Sequence, residues 1–243
     1  MPIVKLILIF LLSIHTLAFN EGPISEEVMA KAERKYSGLI VSRYLAYNKM
    51  LKEAEHISER NKLQMVNSFF NAVPFQSDIK NWKQDDYWAT PLEFLARNKG
   101  DSEDYVIAKY FALKTLKIDT KKLYFTYVNS EKFKRPHMVL SYFESPGADP
   151  FVLDNINKDI LSAKDREDLT PIYNFNADTV KSLKNQQSTH KKWEKLIKRV
   201  KRNKRCVYLN RSPVSCPFSY CASWPPLWHL PFTPLRNMQK TGC

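Results

Sequence analysis

Residues 100–117 read GDSEDYVIAKYFALKTLK, and this stretch determines how we expect the rest of the chain to be organised. Asp101 can cap a helix, and the acids Glu103 and Asp104 suit the positive end of a helix dipole. The apolar residues that follow have helical spacing, so the stretch predicts one helix with a buried side. Ser102 is then expected in the first turn of that helix.

The chain before this stretch has the pattern of helices. Ser25 can cap a first helix, and apolar residues at helical spacing continue from there to about Asn71. Residues 90–93 (TPLE) form a capping box with proline at the first helical position, which predicts a short helix beginning there. Gly100 follows this helix and suits a left-handed exit from it.

Three segments after the stretch have the composition of β-strands, namely residues 123–128, 137–143 and 151–154. The turn sequence at residues 145–147 (SPG) predicts an antiparallel hairpin between the last two strands. Helices first and strands afterwards indicate an α+β fold, in which a helical N-terminal half packs on a small antiparallel sheet.

Basic residues are concentrated towards the C-terminal end. The net charge is +13, yet residues 1–180 hold 24 basic and 24 acidic side chains, whereas residues 181–205 hold 11 basic groups against Glu194 alone. An apolar stripe at helical spacing predicts that this segment is a basic closing helix; its residues are Trp193, Leu196, Ile197 and Val200. Such a helix usually presents a solvated basic face, so binding to nucleic acid or another anionic surface is the weakest functional hypothesis, and no nucleic-acid partner is expected.

Both ends of the chain differ from the predicted domain, which spans residues 25–204. Residues 1–18 have the pattern of a signal peptide, with Lys5 before an apolar run of about half the length that spans a bilayer. An uncleaved N-terminal anchor is the alternative. No later segment is apolar enough to cross a membrane, so we expect an exported chain that does not span one after removal of the signal.

Residues 205–243 form the second unusual end. They contain all four cysteines and six of the 14 prolines, without helical or alternating periodicity. Export would permit disulfide formation, but the cysteine spacing matches no metal site. We expect this tail to lie outside the fold, as a frameshifted or read-through end or as a disordered extension.

Three residues have the chemistry of a hydrolytic site. A nucleophile at position 102 gains from the partial positive charge and free N–H groups of a helix N-terminus. His137 opens one strand and Asp154 ends the next, so hairpin pairing can bring the imidazole beside the carboxylate. His137 would then take the proton of the nucleophile, and Asp154 would fix the tautomer of the imidazole. This order of residues is typical of thiol hydrolases, but a hydroxyl stands where the thiol is expected.

Each of these residues also has an ordinary structural explanation. Ser102 suits the first turn of any helix, and the acids beside it suit a helix N-terminus without further function. His137 can be a hydrogen-bonded strand residue, and Asp154 can be a turn-former. The hydrolytic interpretation depends on the three residues occurring together in this order.

The chain resembles the bacterial transglutaminase-like cysteine proteinases of the LapG type over roughly residues 25–200. The matching motifs are residues 85–94 (DDYWATPLEF), 100–110 (GDSEDYVIAKY), 137–140 (HMVL), 153–155 (LDN) and 166–176 (REDLTPIYNFN). The resemblance implies a papain-like or transglutaminase-like cysteine proteinase fold. By position, it places Ser102 where the family has its nucleophile, with His137 as the base and Asp154 as the orienting acid.

The resemblance also implies a function and a cofactor. Such enzymes are periplasmic endopeptidases that cut a large surface adhesin at a paired-alanine site and so release cells from a biofilm. An inner-membrane receptor that senses cyclic di-GMP sequesters them. They bind calcium beside the nucleophile, which maps to Asp101 and Glu103, with Asp104 as a further ligand, and they need no organic cofactor. Hard carboxylate oxygens suit calcium, although a helix cap can use the same acids.

The departure from the family is the nucleophile, which is cysteine there and Ser102 here. A thiol ionises near neutral pH, whereas a hydroxyl does not and relies on removal of its proton during attack. Loss of one member of a catalytic unit commonly lowers the rate by several orders of magnitude. We therefore expect weak or absent proteolysis, and the alternative function is a pseudoprotease that binds the adhesin or the receptor without cutting.

Overall fold

The computed structural model describes residues 23–35, 38–132, 134–179 and 187–208. The predicted signal peptide, residues 1–18, lies outside them, and so does all of the predicted tail beyond residue 208. The described residues form an α+β fold of helices and one antiparallel sheet, which confirms the predicted class. No helix in these ranges combines the length and the apolar character needed to cross a bilayer.

The N-terminal half contains the helices α1 (Glu26–Lys35), α2 (Gly38–Ala54) and α3 (Glu59–Asn71). The hydroxyl of Ser25 accepts a hydrogen bond from the N–H of Val28 at 3.4 Å, as expected of a cap. The hydroxyl of Ser58 accepts one from the N–H of Asn61 at 3.4 Å and so caps α3. The predicted helical region is therefore correct but divided into three helices.

The helices α4 (Asp78–Trp82) and α5 (Pro91–Arg97) follow. The predicted capping box at the start of α5 is confirmed, because Thr90 accepts a hydrogen bond from the N–H of Glu93 at 3.2 Å and Glu93 accepts one from the N–H of Thr90 at 2.7 Å. The predicted left-handed exit at Gly100 is wrong. Asn98 takes that conformation, with φ of 53°, because asparagine tolerates it and comes directly after the last helical turn.

Gly100 is required for a different reason, which is close packing. A Cβ atom at this position would lie 2.5 Å from the ring of Phe94 and 2.7 Å from the Oδ2 atom of Asp104. The carbonyl of Gly100 also accepts a hydrogen bond of 2.8 Å from the N–H of Gln76, beside an isolated parallel bridge to Phe75. The segment that precedes Ser102 is thus held against its neighbours on two sides.

The central helix α6 (Ser102–Thr115) begins where the sequence predicts, with Asp101 as its N-cap residue. It is buried along most of its length and packs against α3, α5 and the sheet. This burial fixes the position of its first turn, which carries Ser102.

One five-stranded antiparallel sheet follows α6, with strand order β4-β3-β2-β1-β5. Its strands are β1 (Leu123–Ser130), β2 (Arg135–Tyr142), β3 (Phe151–Leu153), β4 (Leu161–Ser162) and β5 (Leu169–Asn176). The predicted hairpin is confirmed, since β2 and β3 pair with Leu140 opposite Leu153. The sequence analysis did not predict β4 or β5. The strand β5 lies at an edge with most of its residues exposed or half-buried and contains Pro171, so it lacks the apolar alternation of a covered strand.

The last helix, α7 (Gln187–Tyr208), closes the domain and confirms the predicted apolar stripe. Trp193, Leu196 and Val200 are buried in the same core as α6 and the sheet. The Trp193 ring is stacked on Phe111 of α6, with ring centroids 5.9 Å apart. The helix extends four residues past the predicted domain boundary at residue 204.

Candidate active site

Ser102 lies in a cleft of about 440 Å³ between the first turn of α6 and the sheet. His137 of β2 lines the same cleft, together with Phe75, Asn155 and Ile156. Ser102 is only 8% exposed, so a reacting group there is largely shielded from water. The structure therefore brings two of the predicted site residues to one surface, although 35 positions separate them in the chain.

The hydroxyl of Ser102 is directed at an acid. It donates a hydrogen bond of 2.7 Å to the Oε2 atom of Glu103. Glu103, one of the three predicted calcium ligands, is thus engaged with the nucleophile position. In this arrangement the hydroxyl proton points to a carboxylate and not to the imidazole that is expected to remove it.

His137 and Asp154 are hydrogen-bonded to one another. The Nε2 atom of His137 lies 2.8 Å from the Oδ1 atom of Asp154, and both side chains are buried. An ionised carboxylate only accepts hydrogen bonds, so Nε2 carries the proton and Nδ1 is the nitrogen able to act as a base. Asp154 follows directly after β3, and the pairing of β3 with β2 brings it to His137, as the hairpin argument anticipated.

Asp154 is held in its ionised form by several donors. Burial alone would raise the pKa of this carboxyl, but the hydrogen bonds and charges around it outweigh burial and hold the pKa well below its usual range. The donors are His137, the N–H of Ile156 at 3.0 Å and the guanidinium of Arg166 at 2.7 Å. Arg166 also makes two hydrogen bonds to Asp168. We call His137, Asp154, Arg166 and Asp168 the ion-pair group.

Sequence reasoning did not assign a role to Arg166 or to Lys109. Arg166 is 2% exposed, and Lys109, in the middle of α6, is fully buried. Burial lowers the pKa of Lys109 to about 7, and the charge of Asp154 partly offsets that effect. A signal was present in both cases, because a charged residue inside an otherwise apolar helix or beside a short strand needs a buried partner.

A second group of carboxylates lies near Ser102, in α4 and at the start of α6. Asp78, Asp101 and Asp104 each offer an oxygen atom, and these atoms lie within 4.8 Å of one another. We call these three residues the acidic pocket. Asp101 and Asp104 were predicted as calcium ligands, whereas Asp78, from α4, was not. Glu103 lies outside this trio.

The acidic pocket contains oxygen atoms that lack a partner. The second oxygens of Asp78 and Asp104 accept backbone N–H groups from Tyr87 at 2.6 Å and Ala89 at 2.7 Å. One oxygen of each of the three aspartates is buried without a hydrogen-bond partner among the residues that the structure describes. Unpaired buried carboxylate oxygens are costly in free energy, so a bound cation or added protons would stabilise this arrangement.

Repulsion and burial make these acids hard to ionise. Burial raises the pKa of Asp78 to about 6. Burial, followed by repulsion from Glu103, Asp104 and Asp78, raises the pKa of Asp101 to about 10. Burial also raises the pKa of Asp104 well above its usual value. A bound divalent cation would offset both the repulsion between the carboxylates and the cost of burying their negative charges.

The donor set of the acidic pocket fits calcium. Calcium takes oxygen ligands at about 2.3–2.6 Å, so two ligands of one ion can be up to about 5 Å apart. The 4.8 Å spread of the three carboxylate oxygens is within that limit. Softer metals such as zinc and copper prefer nitrogen or sulfur ligands, which the three aspartates do not supply.

The family model for "bacterial transglutaminase-like cysteine proteinase BTLCP" matches residues 46–175 of the chain. These residues include Ser102, His137 and Asp154, together with all three aspartates of the acidic pocket. No curated protein sequence is similar enough to the chain to count as a match.

Solved structures of Legionella pneumophila LapG are similar to most of this chain. One has 35% sequence identity and a TM-score of 0.61, covering 73% of this chain and 98% of that chain. An EGTA-treated form of LapG has 34% identity and a TM-score of 0.61, with the same coverage. A calcium-bound form has 34% identity and a TM-score of 0.62, covering 73% of this chain and 99% of that chain.

Proposed function

Because this chain belongs to the bacterial transglutaminase-like cysteine proteinase family, we propose that it is a LapG-like protein that binds a protein substrate in the cleft over Ser102 but cuts it slowly or not at all. The observation that carries this proposal is the direction of the Ser102 hydroxyl. It donates to Glu103 at the start of α6, in the cleft that it shares with His137.

The chemistry of the nucleophile explains the low activity. A thiolate–imidazolium pair forms readily because a thiol ionises near neutral pH, and a helix N-terminus lowers its pKa further. The Ser102 hydroxyl cannot store charge in this way, so His137 must remove its proton during attack. The hydrogen bond to Glu103 must also break first, which adds to the barrier.

The other site residues keep their roles in this proposal. His137 is the base, acting through Nδ1, because Nε2–H is donated to Asp154. Asp154 orients the imidazole and stabilises its charged form. The N-terminus of α6 supplies N–H groups and partial positive charge where an oxyanion develops.

We assign the acidic pocket as a calcium site. Asp78, Asp101 and Asp104 would hold the ion, and the calcium-bound form of the relative LapG supports this choice of metal. Bound calcium would neutralise the three carboxylates and fix α4 to the residue that caps α6. Glu103 remains free to accept the Ser102 hydroxyl, so its role is at the nucleophile position.

The substrate and the location follow from the family resemblance. The proposed substrate is a large surface adhesin cut at a paired-alanine site, with release of cells from a biofilm as the outcome. The proposed location is the periplasm, reached through the signal peptide at residues 1–18, and the proposed regulatory partner is an inner-membrane receptor for cyclic di-GMP. The alternative function is a pseudoprotease, favoured by the hydroxyl at position 102, that holds adhesin or receptor without cutting.

The test compares the natural chain with Ser102→Cys on an N-terminal adhesin fragment that contains the paired alanines, in calcium and in EGTA. We expect Ser102→Cys to cut at least about 100-fold faster than the natural chain, since it restores the missing member of the catalytic unit. The measurement is the initial rate of fragment cleavage on gels, with mass spectrometry of the cut ends.

Ser77→Cys is the matched control, because Ser77 lines the same cleft but is not at the start of α6. It should leave the rate unchanged, and His137→Ala should abolish the gain of Ser102→Cys. Equal cutting by the natural chain and by Ser102→Cys contradicts the proposal of a weakened nucleophile. Binding of the fragment without cutting by either protein supports the pseudoprotease.

A further inference from the structure

Arg166 donates hydrogen bonds to Asp154 and Asp168, and not to Ser102 or His137. It lies between β4 and β5, and 2% of its side chain is exposed. Its Nη2 atom donates to the Oδ2 atom of Asp154 at 2.7 Å. The opposite oxygen of the same carboxylate, Oδ1, lies 2.8 Å from His137. Arg166 and His137 therefore share one carboxylate, one on each oxygen.

Asp168 fixes the guanidinium from the other side. It accepts a hydrogen bond from Nε of Arg166 at 2.7 Å and another from Nη2 at 2.8 Å. Such a two-point contact fixes the plane of a guanidinium as well as its position, which a lysine cannot reproduce. The Asp168 side chain is 43% exposed, so it anchors Arg166 at the surface while Asp154 is fully buried.

We propose that Arg166 is a positioning residue that, held by Asp168, fixes the Asp154 carboxylate with Oδ1 towards His137. Asp154 then holds the Nε2–H of the imidazole and leaves Nδ1 as the nitrogen able to act as a base. This inference deepens the proposed function, because it concerns the residue that there acts as the base.

The consequence concerns which nitrogen of the imidazole can act as a base. While Oδ1 of Asp154 holds Nε2–H, Nδ1 keeps its lone pair and can take the proton of the nucleophile. If the carboxylate turned, that hydrogen bond would weaken and the imidazole could adopt its other tautomer. The hydrogen bonds of Arg166 to Oδ2 of Asp154 and to Asp168 oppose this turn.

The experiment follows the His137 imidazole by NMR in the full chain, with histidine labelled and the resonance assigned from a His137→Ala sample. The chain has five histidines, so the assignment is practical. The measured quantity is the rate at which the Nε2–H proton of His137 exchanges with water, at saturating calcium. We expect Arg166→Gln to speed this exchange by about tenfold, since the hydrogen bond to Asp154 is no longer held in place. Asp168→Asn should speed exchange by a smaller factor, because it removes the group that fixes the guanidinium.

Two further variants separate positioning from simple loosening of the fold. Arg43→Gln is the matched control, since Arg43 also makes two hydrogen bonds, to the carbonyl oxygens of Leu95 and Ala96, away from the ion-pair group. It should leave the exchange rate of the His137 proton unchanged. Arg166→Lys should speed exchange nearly as much as Arg166→Gln, because a lysine keeps the charge but cannot make the two-point contact with Asp168.

An unchanged exchange rate in folded Arg166→Gln and Arg166→Lys overturns the inference. Equally faster exchange of the backbone amides of β1 and β2 also overturns it, because it would show general loosening. If Arg166→Gln does not fold, Arg166→Lys and Asp168→Asn decide the question by the same criteria. These measurements need no turnover, so the inference can fail while Ser102→Cys cuts its substrate, and the proposed function can fail while the exchange rates change as expected.

Discussion

The acidic pocket and the ion-pair group both hold buried carboxylates close to the cleft that contains Ser102, but they stabilise those carboxylates differently. In the ion-pair group, each oxygen of Asp154 has a donor, from His137 on one side and Arg166 on the other. In the acidic pocket, three carboxylates face one another, and each has a buried oxygen without a hydrogen-bond partner in the described part of the chain.

The pKa directions express this difference. The donors of the ion-pair group outweigh burial and hold the pKa of Asp154 well below its usual range. In the acidic pocket, burial raises the pKa of Asp78 to about 6 and, with repulsion, that of Asp101 to about 10. The Asp154 carboxylate therefore has its partners within the chain, whereas a bound cation would stabilise the carboxylates of the acidic pocket.

The largest expected effect comes from breaking the ion-pair group with Asp154→Ala. This change leaves the buried Arg166 with one partner fewer, so we expect a loss of about 3 kcal/mol in the free energy of unfolding. The measurement is urea unfolding at neutral pH. The control is Asp165→Ala, because Asp165 precedes Arg166 in the sequence but is exposed. It should cost under about 0.5 kcal/mol in the free energy of unfolding.

The pH dependence of this contribution has a definite sign. Because the pKa of Asp154 is depressed in the folded state, its stabilisation is present above the unfolded value of about 3.9 and is lost only as the pH falls further, towards the folded value. An equal loss in Asp154→Ala and Asp165→Ala would show that the ion-pair group contributes nothing to stability.

The next effect comes from completing the acidic pocket with calcium. Free calcium at 100 times the dissociation constant should stabilise the fold by about 2.7 kcal/mol, which corresponds to about 5–10 °C in the melting temperature. Melting curves in calcium, magnesium and EGTA test this. Magnesium should stabilise less, because it requires a tighter octahedral arrangement. Identical curves in calcium and EGTA contradict the calcium assignment.

The smallest effect comes from removing one charge of the acidic pocket with Asp78→Asn. An amide oxygen can still accept the N–H of Tyr87, but the repulsion falls, so in EGTA at pH 8 we expect a gain of about 1 kcal/mol. The gain should shrink as the pH falls below the folded value of about 6 and vanish at about pH 4, because a raised carboxyl pKa costs stability only at pH values above the unfolded value of about 3.9.

Two further results sharpen this prediction. Asp78→Asn should lose most of the calcium stabilisation, since one of three carboxylates is gone. Asp119→Asn is the control, because Asp119 also accepts a backbone N–H, from Lys121, but at an exposed site. A pH-independent gain in Asp78→Asn would show that the stabilisation does not come from relief of ionisation.

Much of the fold could be predicted because its signals are local. The capping box at Thr90 and the helix start at Asp101 depend on residues within one helical turn, and the structure has both. The strand β5 was missed because its edge position leaves most of its residues exposed or half-buried, and such a strand carries no apolar alternation. The sequence analysis placed the left-handed residue after α5 at Gly100, but Asn98, two residues earlier, takes that conformation.

The candidate site also contains some residues that local sequence predicts and others that it does not. Asp101 and Asp104 are three residues apart, so a helical start places both on one face, and Glu103 points elsewhere. Asp78 could not be recognised as their neighbour, because it comes from a different helix and only the packing of α4 against the start of α6 brings it there. Arg166 is likewise remote from His137 in sequence, and only the fold connects the two through Asp154.

The sequence by itself determined the α+β class, the place of Ser102 at a helix start and the oxygen that replaces sulfur there. These follow from residue identity and from interactions within a few residues, which do not depend on the rest of the chain. Only the tertiary structure decided which carboxylates have partners. The state of a buried charge depends on every group within a few ångströms, and the fold gathers those groups from distant parts of the sequence.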